Sequence, residues 1–161
     1  MDPPGPILRV VVDANIVIAG VLRNSTARRI VMDPRLRLWA PSLLMEETGK
    51  HVGEISRRAG IPLEETRHVL DSILELVIFV EREALESQWE EAERLLTSRD
   101  PSDAPYVAVA LAFELDGVWS DDPDIRVQGR VRTYTTPELV RLLPPIPKRD
   151  LEGPPQRPGR D

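Results

Sequence analysis

The chain has 161 residues, enough for one domain with a real core and too few for two comfortable ones. Hydrophobic residues make up 41% and charged ones 30%, the net charge is -6 and there is no cysteine, which excludes a disordered polymer, a disulfide scaffold and a thiolate metal site. No apolar run approaches the roughly 18 to 20 residues that span a bilayer, and the opening "MDPPGP" is neither basic nor apolar like a signal peptide, so a cytoplasmic protein with no membrane partner is expected.

Along the chain, short apolar runs alternate with amphipathic ones. Ile7 to Val12, "ILRVVV", has the β-branched character of a buried parallel strand. "ANIVIAGVL" and "STARRIVM" read as helices, the second capped by Ser25 or Thr26. Leu36 to Ala40 is a second strand, followed by a helix from Pro41 to about Ala59 with Gly60 as its C-terminal cap. A helix over Leu63 to Leu74 and a strand over Leu76 to Val80 come next. Leu85, Trp89, Ala92, Leu95 and Leu96 then share one face of an amphipathic helix whose other face is acidic. Residues 103 to 115 form an almost continuously apolar helix. "GVW" is a fourth strand and "VRTYT" a fifth, and Thr136 caps a last helix ending at Leu143. Residues 1–143 are thus read as a single domain and 144–161, rich in proline, as a flexible tail.

Five strands separated by helices imply an α/β fold, three layers deep, with a central parallel sheet. Ligands of such sheets sit beyond the carboxyl ends of the strands, where strand order reverses. Asp13 directly follows the first strand. Asp121, Asp122 and Asp124 follow the fourth, in "SDDPDI". Asp103 opens the apolar helix leading into that strand, and Glu46 and Glu47 sit early in the helix after the second. Each has an ordinary reading: Asp103 as a helix cap, "SDDPDI" as a turn around Pro123, Asp13 as a favourable charge at a helix N-terminus. Convergence is harder to explain that way, because two carboxylates about 4 Å apart repel by roughly 1 kcal/mol in water and about 4 kcal/mol at an effective dielectric of 20. Raised pKa values or a divalent cation would relieve it, and an all-oxygen ligand set suits Mg²⁺ or Mn²⁺. His51 and His68 are expected to lie away from the strand ends.

The basic charge is unevenly spread. Five arginines, Arg23, Arg28, Arg29, Arg35 and Arg37, face one acid, Asp33, in the same stretch, whereas Glu81 to Glu93 holds six glutamates and only Arg82. The glutamate run is the solvated side of its helix. The arginine cluster is read first as a solvated face, with contact to nucleic acid as the alternative.

These segments resemble the PIN-domain ribonucleases. "VVDANIVIAGVL" is similar to that family's opening strand-Asp-x-Asn segment, "APSLLMEETGKH" to its Pro-initiated helix with a glutamate, "DPSDAPYVAVAL" to its third acidic motif and "GVWSDDPDI" to its hydroxyl-x-Asp-x-Asp motif; "RTYTTPELVRLL" looks like its last strand and helix. The resemblance implies a PIN-like fold and Mg²⁺- or Mn²⁺-dependent hydrolysis of phosphodiester bonds in single-stranded RNA. Carried across position by position, Asp13, Glu47, Asp103 and Asp122 would be the metal-binding catalytic acids and Asp124 a possible fifth, with Asn15 and Ser120 orienting them. Thr48 stands where the family's glutamate is usually followed by an apolar residue, and Asp121, Pro123 and Ile125 also depart from the pattern. Arg23, Arg28 and Arg29 would be candidates to guide the RNA.

A phosphoacceptor receiver domain needs paired acids after the first strand and a lysine near the end of the fifth; neither is present. An aspartate-nucleophile phosphatase needs a second aspartate where Asn15 stands. The remaining alternative is a catalytically weak or inactive member that binds RNA or protein. Many small stand-alone members of the family are toxins, so the resemblance also implies a cognate antitoxin as a partner, and a homo-oligomer, a dimer, as the assembly.

Overall fold

The computed structural model describes residues 7–22, 25–96 and 101–146; Arg23 and most of the proline-rich tail lie outside them. Within them, β1 (Leu8–Val12), α1 (Ala14–Val21), α2 (Thr26–Val31), β2 (Leu36–Pro41), α3 (Leu43–Ala59), α4 (Leu63–Leu74) and β3 (Val77–Val80) follow in order. A 3-10 turn (Arg82–Leu85), α5 (Glu86–Leu95), a second 3-10 turn (Pro101–Asp103), α6 (Ala104–Ala112), β4 (Gly117–Trp119), α7 (Pro123–Arg126), β5 (Thr133–Tyr134) and α8 (Thr136–Leu142) complete the set. The five strands form one parallel sheet in the order β3-β2-β1-β4-β5. With helices on both faces, it is the three-layer α/β/α arrangement expected from the sequence.

Burial on both faces explains the strand chemistry. Val10, Val11 and Val12 are fully buried, as are Val118 and Trp119 beside them in β4. Helix α6 packs on β1, β2 and β4 with α5 outside it, while α1 contacts α2, α3 and α4. This sandwiching of α6 accounts for its apolar run, since residues 104 to 110 are all buried. Gly117 is required by packing: a Cβ there would stand 2.4 Å from the Arg132 carbonyl oxygen and 2.8 Å from the Tyr134 ring. Only glycine lets β5 close on β4.

Several boundaries move for identifiable reasons. Pro41 ends β2 rather than opening α3, which begins at Leu43. Gly60 does close α3, at φ 65° in the left-handed region. Ser25, not Thr26, caps α2, its hydroxyl accepting from the Arg28 amide. Likewise Thr135, not Thr136, caps α8. Helix α6 stops at Ala112, with Glu114 turned to positive φ before β4. The fifth strand keeps only two ladder residues. "SDDPDI" is more than a turn: Pro123 to Arg126 form a short helix with Pro123 in its first position.

Candidate functional site

The sheet order reverses at β1 and β4, which are direct neighbours, so the crevice beyond their carboxyl ends is the expected ligand position. A cleft of about 390 Å³ opens there, lined by Asp13, Asn15, Glu47, Asp103 and Asp122, with Lys50, His51 and Tyr106 among its other walls. Residues from four separate stretches of chain meet in it.

Asp13 is the most enclosed of the acids, only 6% exposed. It is the N-cap of α1, with Oδ1 accepting from the Ile16 amide at 2.9 Å. Burial pushes its carboxyl above the ordinary range; hydrogen bonds from Ser120 and Ile16 oppose this, and the charges of Asp121 and Asp122 add to it. Ser120 is itself fully buried, and its Oγ also accepts from the Asp122 amide at 3.1 Å. One hydroxyl therefore ties the end of β1 to the loop after β4.

The three aspartates of "SDDPDI" separate cleanly. Asp121 turns toward α8, where its carboxylate accepts from the Thr136 amide and hydroxyl, both at 2.7 Å. This fastens the end of β4 to the start of α8, a structural task. Asp122 lines the cleft and caps the short α7, its Oδ1 accepting from the Asp124 amide at 2.9 Å. Asp124, the possible fifth acid, is not among the residues that line the cleft.

On α3, Glu46 is exposed and Glu47 faces the cleft. The phenol of Tyr106 donates to Glu47 Oε2 at 2.7 Å, fixing that carboxylate from across the site. Burial drives the Tyr106 hydroxyl's pKa well up, reinforced by its bond to Glu47 and by the charges of Asp13 and Asp103, so it stays a donor. Thr48 fits where an apolar residue is usual, because its hydroxyl bonds back to the Leu44 carbonyl at 2.8 Å and the residue is fully buried. Asp103 precedes α6, yet its side chain makes no capping bond to that helix. It lines the cleft instead, so it holds the N-cap position of α6 without capping it through its side chain.

One expectation is corrected. His51 lines the acid cleft, rather than lying away from the strand ends, because α3 runs past the crevice and residues 47 and 51 are four apart on one helix face. Of the candidate arginines, Arg23 lies outside the described residues, and Arg28 and Arg29 are not in the cleft lining. Arg28 is used inside the fold: its Nε donates to the Gly20 carbonyl at 2.8 Å and its Nη2 to that of Val21, closing the end of α1. Arg28 and Arg29 border a separate hollow with Ser25 and Met32.

Sequence reasoning missed Tyr106, Lys50 and His51. The signal was spacing: Tyr106 is three residues after Asp103, and Lys50 and His51 are three and four after Glu47.

The donor set is consistent with a hard divalent cation, being carboxylate oxygen from Asp13, Glu47, Asp103 and Asp122. Among the described residues, however, no three acidic or histidine side chains already converge as a closed ligand cluster. Mg²⁺ keeps several of its waters, so it does not require a closed all-protein cage.

A PIN-domain family model matches residues 11–142. No curated protein matches the chain. Among solved structures, PAE2754 from Pyrobaculum aerophilum is similar with a TM-score of 0.58 and 18% identity, covering 84% of this chain and 89% of that one, a likeness of fold alone. With a family model matching most of its length over an acid-lined cleft at the sheet's carboxyl edge, this chain belongs to the PIN-domain family, whose members are generally nucleases and typically use divalent metals.

Proposed function

We propose that the protein is a Mg²⁺- or Mn²⁺-dependent ribonuclease that hydrolyses phosphodiester bonds of single-stranded RNA. The observation that carries this reading is the meeting of Asp13, Glu47, Asp103 and Asp122 in one open cleft, with Asp13 already strained toward protonation by burial. A bound divalent cation supplies activation of water and neutralisation of charge on the phosphate. The chain's own part is positional. Asp13, Glu47, Asp103 and Asp122 would hold the cation, Ser120 keeps Asp13 and the Asp122 backbone in register, and Tyr106 keeps one Glu47 oxygen fixed. Asn15 lies on the cleft wall, where its amide can meet substrate or a carboxylate.

A toxin held by a cognate antitoxin is the physiological setting proposed for this activity, with a homodimer as its assembly. A short antitoxin-like reading frame beside this one, whose product copurifies and suppresses cleavage, is the supporting result. The second reading, a binding module with little catalysis, draws on the absence of a closed ligand cluster among the described residues. The deciding experiment incubates purified protein with single-stranded RNA and Mn²⁺, with and without EDTA, beside Asp13→Asn. Cleavage lost in both controls supports the nuclease; cleavage indifferent to both refutes the metal mechanism, and no cleavage of any RNA favours the binding module.

A further inference from the structure

The acid cleft is not closed at its α3 side. Asn15, Ile18 and His51 belong both to it and to a second hollow of about 460 Å³ between α1 and α3, which continues past Leu22 and Ile55 to Arg58. The two form one trough with a change of chemistry along it. Its acid end holds the four carboxylates, its middle holds Lys50 and His51, and its far end has an aliphatic floor with Arg58 on the rim. From Glu47 to Arg58 the trough follows about 16 Å of helix axis at ~1.5 Å per residue.

We infer that this α1–α3 trough is the track for the RNA strand on one side of the scissile phosphate, with Lys50, His51 and Arg58 as backbone contacts and Ile18 and Leu22 as surfaces for base faces. The inference rests on the nuclease reading for its starting point. Single strands are held without sequence preference by cationic groups that follow the backbone together with apolar surface for the bases, and both are present here. Lys50 and His51 are exposed on the cleft wall, where phosphate must enter past the acids. Glu54 also lines the trough, pairing with Arg58 at 2.8 Å and with His51 at 3.6 Å. At such exposure that pairing is weak, and the Arg58 guanidinium, 79% exposed, is free to exchange it for a phosphate. Leu22, 40% exposed at the end of α1, is apolar surface outside the buried core of the described residues.

The test is fluorescence anisotropy with labelled oligoribonucleotides of increasing length, kept uncleaved by EDTA, on the full chain and on Arg58→Gln and Leu22→Asp, alongside Mn²⁺-dependent cleavage of a dinucleotide. Wild-type affinity should climb with length. Arg58→Gln should lower the affinity of the longer oligonucleotides roughly threefold and flatten the salt dependence by about one phosphate contact. Leu22→Asp should weaken them further, and dinucleotide cleavage should be unchanged in both. If both variants, melting like the wild type, bind every length as the wild type does, the RNA track is overturned and the aliphatic floor is left to a protein chain. The two readings part cleanly: dinucleotide cleavage with no length dependence sinks the track alone, whereas length-dependent binding without cleavage of any RNA supports the track and sinks the nuclease.

Discussion

The two edges of the sheet treat their aspartates in opposite ways. At the amino edge Asp33 and Asp116 each have a partner. Asp33 takes both Nε and Nη2 of Arg35, at 3.0 and 2.7 Å, and Arg35 also reaches the Pro144 carbonyl. Asp116 accepts from the Arg9 amide at 2.7 Å while its own amide donates to the Arg9 carbonyl. At the carboxyl edge, Asp13, Glu47, Asp103 and Asp122 share one cleft, with Lys50 and His51 on its exposed wall. The shifts follow: burial raises Asp13, whereas at Asp33 burial is outweighed by hydrogen bonds and charge from Arg35 and the carboxyl falls below its ordinary range. One edge uses Asp33 and Asp116 to hold the fold, and the other gathers Asp13, Glu47, Asp103 and Asp122 around one cleft.

The largest effect should come from Asp13→Asn, because asparagine keeps the helix cap and removes the buried charge. Cleavage should fall by roughly 10²–10³, the scale for losing one preorganised electrostatic contact. Metal-free protein should nevertheless melt higher at neutral pH. The sign follows from the raised carboxyl: Asp13's stabilisation is full at pH below the ordinary carboxylate range and is lost as pH rises through the higher folded value. The gain from the substitution should therefore grow from acid toward neutral pH, and a variant melting lower than wild type at neutral pH would break the contrast between the edges.

Tyr106→Phe comes next, since it deletes one donated hydrogen bond and leaves the ring. Outer partners of metal ligands are worth about 10- to 100-fold in metal affinity, so Mn²⁺ titration should weaken by that much while thermal stability without metal changes little. An unchanged Mn²⁺ affinity would mean that Glu47 is not a ligand.

At the amino edge, Asp33→Asn should cost about 1.5–3 kcal/mol at neutral pH, the range for hydrogen bonds to charged groups, with catalytic rate untouched. Its pH dependence runs opposite to that of Asp13. A lowered carboxyl contributes above the ordinary range and loses its contribution as pH falls through the folded value. Chemical unfolding across acidic pH should show wild type and variant converging, and loss of cleavage without loss of stability would blur the division between the edges.

The sheet and most of the helices were legible because a parallel strand buried on both faces leaves a run such as Val10 to Val12, and an amphipathic helix leaves a stripe such as Leu85 to Leu96. The acids at the carboxyl edge were legible for the same reason, since each follows an apolar run or opens a helix. Tertiary contacts were not. Nothing local in "SDDPDI" says that Asp121 bonds to Thr136, fifteen residues on, while Asp122 turns the other way. The bonds of Arg28 were not legible because an exposed basic run and an arginine folded back on helix carbonyls look alike in sequence. Tyr106 was absorbed into a buried helix, correctly as to burial, but its hydroxyl mattered through Glu47, 59 positions away.

The smallest effect probes whether the carboxyl edge also sacrifices backbone stability. Helix α3 carries Glu47, Lys50 and His51 to the cleft, yet it contains Gly49 and Gly53, both exposed, and a Cβ at either would meet nothing within 4 Å. Glycine inside a helix is less stable than alanine by about 0.5–1 kcal/mol. Gly53→Ala should therefore stabilise by that amount in chemical unfolding, while Gly60→Ala, at positive φ, should not. If the stabilised variant cleaves at the wild-type rate, α3 is a rigid platform and its glycines are incidental to the site. If cleavage falls as stability rises, the edge that gathers its acids in one cleft also depends on a pliable helix, and the contrast between the two edges extends from charge to backbone.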